Sequence, residues 1–389
     1  MTRSDVSRSL ADAAATFDGS RLTLARHLAG LRKSDLAGLI EKSATAVASW
    51  ENGTKAPSPA AVGQLAVSLG VDPGFFGARA DDVAHLSGPP HFRSLRSTTQ
   101  RARDQAAAYG HLAVGAASSL ERHVEFPDVD VPQLPLTGNH PDASDPEEAA
   151  RMVRQAWQLE PGPIRHVVRT AENHGILVVF SRPEAASVDA YSFCSRLRPA
   201  IVLNPMKNDY YRQRFDVAHE IGHLVMHGDA EPGGRAVENE AHRFAAEFLT
   251  PADQIIDLLP TGMHRGAWQQ LAKTKEQWGV SMQALLYRAR RLGRLSEVSY
   301  RNAMTTVSTR GWRRDEPGLV KILEQPSLLA RAVELLAASG VDEAALMAEL
   351  DVPPELFRTV TARGPRLELP ATLVDDTSDP PHNVVSLLR

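Results

Sequence analysis

The pattern His219-Glu220-Ile221-Gly222-His223 carries the most chemistry in this 389-residue chain. On a helix, positions i and i+4 share a face, so both imidazoles can reach one cation. Zinc takes such nitrogens at about 2.0–2.1 Å. Glu220, one residue on, lies at the edge of that face, where its carboxylate can take a proton from a water on the metal instead of ligating. With 14 histidines in the chain, composition gives only about 0.03 such patterns by chance at this length. Two solvated histidines on a surface helix are the competing reading, and Phe215, Ala218, Leu224 and Val225 argue for a buried helix instead.

Two histidines do not complete a catalytic zinc site, which needs a third protein ligand. It is sought between Val237 and Pro251, where Ala241, Phe244, Ala245 and Phe248 form an apolar stripe. Glu238, three residues before Ala241 and seven before Ala245, points to the same buried side. Glu240 shares a stripe with Phe244 and competes with it. His242 and Glu247 are expected in solvent. The acidic, Gly-rich stretch 227–234 supplies a loop that lets two helices run back to back. An oxyanion partner is sought among Tyr191, Tyr210, Tyr211 and His227, residues that are more often structural. Cys194, the single cysteine, reads as an apolar strand residue rather than a nucleophile or ligand.

These residues need elements to hold them. Pro146 after Ser144-Asp145 starts a helix over 146–159, and a second helix over 164–174 stops at Gly175. Residues 176–181, 188–194 and 199–204 read as strands. From Asn208 the chain is helical almost to Arg294. Breaks are expected at 77–92, 127–146, 305–318 and in an extended or disordered tail, 364–389. The predicted fold class is α+β: an all-α head, a mostly helical unit with a small β-sheet, and a helical C-terminal appendix. The expected units are a head over 18–78, a connecting helix over 93–126, a second unit over 145–300 and a helical region over 316–362.

In the head, Leu36, Ala37 and Ile40 form one apolar face and Val47 and Trp50 the next. Their spacing is too short for one helix, so two short helices meet at a turn. Pro57 starts a further helix with Leu65, Ala66, Leu69 and Val71 inward. This segment, with Trp50-Glu51 ahead of Gly53, resembles the Xre/lambda-repressor type of helix-turn-helix domain. The resemblance implies that the second helix of the pair enters a major groove of double-stranded DNA. By matching positions, Ala44, Thr45 and Ser49 would face bases, while Lys33, Ser43, Asn52 and Lys55 would lie near phosphates. The base-facing set lacks Arg, Gln and Asn, so discrimination per monomer is expected to be modest. Glu41 stands where the turn usually has glycine, implying a positive φ at some cost.

The motif HEIGHLVMH, followed by Glu238-Asn239-Glu240-Ala241 and Phe244-Ala245-Ala246-Glu247-Phe248-Leu249-Thr250-Pro251, resembles the ImmA/IrrE family of gluzincin-like metallopeptidases over roughly residues 145–295. Asp189-Ala190-Tyr191-Ser192, Pro199 to Asn204 and Trp278 to Leu285 match its small sheet and helical continuation. The resemblance implies a Zn2+ enzyme with His219, His223 and Glu238 as ligands and Glu220 as general base. His242 replaces the usual Asn. The implied function is a DNA-binding regulator with a zinc-dependent endopeptidase that cuts a repressor-type protein, itself or a partner, in a stress or phage and mobile-element response. The alternative is a regulator whose zinc domain senses or binds without proteolysis.

Composition agrees with both readings. The net charge of −4 hides a basic head: residues 1–103 hold 13 Lys/Arg against 9 Asp/Glu. No apolar run suits a membrane span and no secretory signal is visible, so a cytoplasmic setting is expected. Arg288, Arg290, Arg291 and Arg294 lie on one predicted helix, read as a solvated face that could also take single-stranded DNA. A homodimer on paired half-sites is expected of such a head.

Overall fold

The computed structural model describes residues 3–77, 91–92, 99–134, 145–181, 190–195, 197–228, 234–319, 321–342, 345–347, 353–364 and 386–387. Within them the chain has the expected α+β make-up. Most of the breaks at 77–92 and 127–146, the start of the strand expected over 188–194, part of the loop 227–234 and most of the tail lie outside the described residues.

The head is a bundle of α1 (Arg3–Ala15), α2 (Gly19–Leu28), α3 (Lys33–Leu39), α4 (Ala44–Glu51) and α5 (Pro59–Leu69). Side-chain oxygens of Asp18, Ser43 and Ser58 cap α2, α4 and α5, satisfying amides that a helix start leaves open. The α3–α4 turn holds Glu41 at φ 55°, the left-handed geometry that its place in the motif implied. Leu22, Leu36, Val47, Trp50 and Leu65 fill the interior.

A four-stranded sheet follows from β1 (His91–Phe92), β3 (Leu177–Phe180), β4 (Tyr191–Phe193) and β5 (Ala200–Leu203), in the order β1-β4-β5-β3. β3 runs parallel to β5, and β4 antiparallel to it. Side chains alternate across a strand. Leu177, Val179, Tyr191, Phe193 and Val202 therefore join one core with the head, while Val178, Phe180, Ile201 and Leu203 join a second. The helix α6 (Gln100–Glu121) bridges the head and the first sheet face. Its Gln105 amide donates to the Leu28 carbonyl, and its Tyr109 hydroxyl to that of Phe180 at 2.7 Å. Gly110 lets it settle there, since a Cβ would stand 2.4 Å from the Phe193 ring.

The second core gathers α7 (Pro146–Ala156), α8 (Val167–Asn173), α9 (Tyr210–Met226), α10 (Arg235–Leu249), the single-turn α11 (Ala252–Ile255), α12 (Arg265–Trp278), α13 (Met282–Arg291) and α14 (Glu297–Thr309). The break expected from residue 305 starts later: α14 runs on to Thr309 because Ala303 and Val307 are buried in this core. The C-terminal helices, α15 (Leu328–Ala338) and Pro354–Val360, pack into the first core. In the tail, β6 (Ser386–Leu387) pairs with β2 (Val124–Glu125), so this part is an ordered strand.

Candidate metal centre

α9 starts at Asp209, whose carboxylate accepts from the Tyr211 and Arg212 amides, and is buried along nearly its whole length. That burial separates His219 and His223 from solvent, at 0% and 1% exposure. α10 lies close because Gly222 carries no side chain: a Cβ there would meet the Phe244 ring at 3.0 Å. The close approach brings Glu238, in the first turn of α10, over the two histidines. Nε2 of His219 lies 3.1 Å from Nε2 of His223, and Glu238 Oε2 and Oε1 lie 3.4 and 3.5 Å from those two nitrogens. Among the described residues these three form the one group of metal-binding side chains with ligand atoms in mutual reach.

The spacing suits a divalent ion. Ligands at about 2.0–2.1 Å from a tetrahedral centre stand about 3.3–3.4 Å apart, close to the separations found. Burial alone would push the Glu238 carboxyl up, but the hydrogen bonds and charges of His219 and His223 outweigh it and hold the group at about 2. Glu238 is thus a charged donor. Its rival Glu240 faces elsewhere, with Oε2 3.0 Å from His227 Nε2.

Glu220 has the opposite environment. It is fully buried, and burial pushes it up to about 7 against the pull of His223 and Ser192. The Ser192 hydroxyl donates to its Oε2 at 2.7 Å, while Oε1 is buried with no hydrogen-bond partner among the described residues. Ser192 faces α9 because its neighbours Tyr191 and Phe193 face α6. Strand alternation from Tyr191 is the sequence signal that puts Ser192 on the α9 side.

Of the four oxyanion candidates, Tyr191 and Tyr211 have their hydroxyls committed elsewhere. The Tyr191 hydroxyl donates to the Ala106 carbonyl and that of Tyr211 to Leu319, Tyr210 lies against the Arg214 guanidinium, and His227 contacts His223 and Glu240. Cys194 is half-buried just beyond β4.

Two solvent expectations are corrected. Glu247 is buried, paired with Arg288 and with Arg151, because α13 and α7 close over it. His242 is half-buried, its ring 4.6 Å from that of His219. It joins Phe215, Asn239, Ala246 and Tyr287 in lining a cleft of about 710 Å³. On α13 the solvated reading is corrected for Arg288, buried on Glu247, while Arg290 and Arg291 are exposed as expected and pair with Glu297 and Glu147.

In the head, Ser43, Ala44, Thr45, Asn52 and Lys55 are exposed and Ser49 half-exposed. Ser43 caps α4, and two further candidate side chains, Ser49 and Lys33, are engaged within the fold. The Ser49 hydroxyl donates to the Thr45 carbonyl, and the Lys33 ammonium lies 3.0 Å from Glu51.

Residues 19–74 match the family model of a helix-turn-helix domain, and residues 171–290 match that of the IrrE N-terminal-like domain, a peptidase family. The chain thus joins the two kinds of domain that its motifs resemble. No curated protein matches it.

Proposed function

We propose that this chain is a DNA-binding transcriptional regulator carrying a zinc-dependent endopeptidase that cuts a repressor-type protein, either a partner or its own repressor-like head, in a stress or mobile-element response. The observation that carries the peptidase reading is the convergence of His219, His223 and Glu238 beside a buried carboxyl that Ser192 holds in place.

His219, His223 and Glu238 would hold the cation. When bound, zinc supplies a Lewis acid for the scissile carbonyl and acidifies water toward neutral pH. Glu220 handles the proton. With Oε2 held by Ser192, Oε1 accepts a proton from the attacking water and returns it to the leaving amine. Full burial favours the protonated form of this carboxyl and so helps it take up that proton. The cleft beside His242 would take substrate side chains next to the cut bond.

For the head, we assign Ala44, Thr45 and Ser49 to the base-facing side of α4. Ser43, Asn52 and Lys55 lie toward phosphates, with Lys33 held back by Glu51. A homodimer on paired half-sites is the expected binding form. No described helix is long and apolar enough to cross a membrane. With Arg288, Arg290 and Arg291 engaged by carboxylates, single-stranded DNA is not part of the proposal.

The test is metal content of wild type and His223→Ala, with a cleavage assay against candidate repressors, with and without DNA, on the same samples. Wild type should hold metal and release fragments, and the variant should do neither. Glu220→Gln should keep metal and lose cleavage. Metal-free wild type, or fragments from Glu220→Gln at the wild-type rate, would overturn the peptidase mechanism. Metal without fragments would leave a regulator with a zinc-sensing domain.

A further inference from the structure

His227 follows His223 by four residues, so the helical geometry that pairs His219 with His223 repeats once more. Nδ1 of His223 lies 3.2 Å from Nδ1 of His227, and Nε2 of His227 lies 3.0 Å from Glu240 Oε2. The file therefore runs from a carboxylate through two rings to the ligand cluster. His227 is 4% exposed, while the Glu240 side chain is 31% exposed.

Hydrogen-bond roles along this file can be worked out from its outer end. An ionised carboxylate only accepts, so Nε2 of His227 donates to Glu240. Two N–H groups cannot share a 3.2 Å contact, so one of the facing Nδ1 atoms accepts. If that atom belonged to His223, His227 would be a cation, buried one ring away from a dication. His223 would then carry its proton on Nε2, the atom that faces His219 and Glu238. If the acceptor is His227, both rings are neutral and Nε2 of His223 keeps its lone pair for a metal.

We infer that His227 and Glu240 are positioning residues that fix His223 in its metal-binding tautomer; this rests on the metal-site reading above. Ligating histidines usually give their second N–H to an acceptor, and losing that acceptor typically weakens metal binding about 10- to 100-fold. Here the acceptor is a second imidazole, itself oriented by Glu240.

The experiment measures Zn2+ affinity by chelator competition, the Co2+ absorption spectrum and melting of the metal-free protein, for full-length wild type, Glu240→Ala, Glu240→Gln and His227→Ala. Glu240→Ala and His227→Ala should bind Zn2+ about 10- to 100-fold more weakly and fill with Co2+ only at higher concentration. Glu240→Gln keeps an acceptor and should recover most of the affinity. Metal-free Glu240→Ala should melt like wild type, since Glu240 is partly in solvent. Wild-type affinity in both alanine variants would overturn the relay alone. So would a Gln variant as weak as Ala with metal-free melting lowered equally in both. A wild type that takes up neither ion would overturn the metal centre and the relay together.

Discussion

Glu220 and Glu238 stand in one cluster, yet their carboxyls are driven apart, to about 7 and about 2. Burial acts on both. Glu238 has two imidazoles against it, whereas Glu220 has one hydroxyl and the charge of His223. Ser192 is thus the one side chain with a direct hydrogen bond to Glu220 among the described residues. A hydrogen bond to a charged group contributes about 1.5–3 kcal/mol, so Ser192→Ala should lower cleavage roughly 10- to 100-fold. Zinc content should not change. Wild-type kcat in that variant would show that packing alone orients Glu220.

Between helices, buried charge decides the fit. α2 and α4 are joined by Arg26 and Glu51, with Nε and Oε1 2.5 Å apart and both side chains buried. Burial alone would raise the Glu51 carboxyl, but the hydrogen bonds from Arg26 and Lys33 outweigh it and hold the group below its ordinary 4.5. A group lowered in the folded state stabilises above its unfolded value and loses that contribution as pH falls through its folded value. Melting of wild type and Glu51→Gln followed against pH should show wild type more stable at neutral pH. The two curves should converge as pH drops below 4.5. A constant gap down to strong acid would contradict this ion-pair account. Hydrophobic periodicity could not reveal such contacts, and it likewise put Glu247 and Arg288 in solvent. A charge is placed inside when another element brings its counter-charge, and that pairing is not visible within one helix.

Across the molecule, the sheet separates two cores, and the C-terminal segment clasps both. Glu324 is buried against Arg214 and accepts from the Val168 amide, while Glu172 accepts from the Ser327 and Leu328 amides. The segment 145–300, which motif matching marks as one unit, therefore keeps Arg214 and Glu172 buried but loses their partners. It also loses most of α14 and exposes the sheet face that α6 covers. Removing one partner of a buried pair costs about 3–5 kcal/mol. The isolated segment should fail to fold, or melt well below the full chain; equal melting would show that the clasp contributes little.

The motif chemistry was legible in the chain because it is local. Helical geometry alone places His219 over His223, apolar spacing marks α3, α4, α9 and α10, and Pro146 after Ser144-Asp145 marks α7. Glu41 even announced its positive φ through its place in the turn. The sequence already favoured Glu238 over Glu240, but the contact of Ser192 with Glu220 and the His227–Glu240 file were not legible. Each depends on how far one helix or strand stands from another, and that distance follows from packing across the whole core, down to the missing side chain of Gly222.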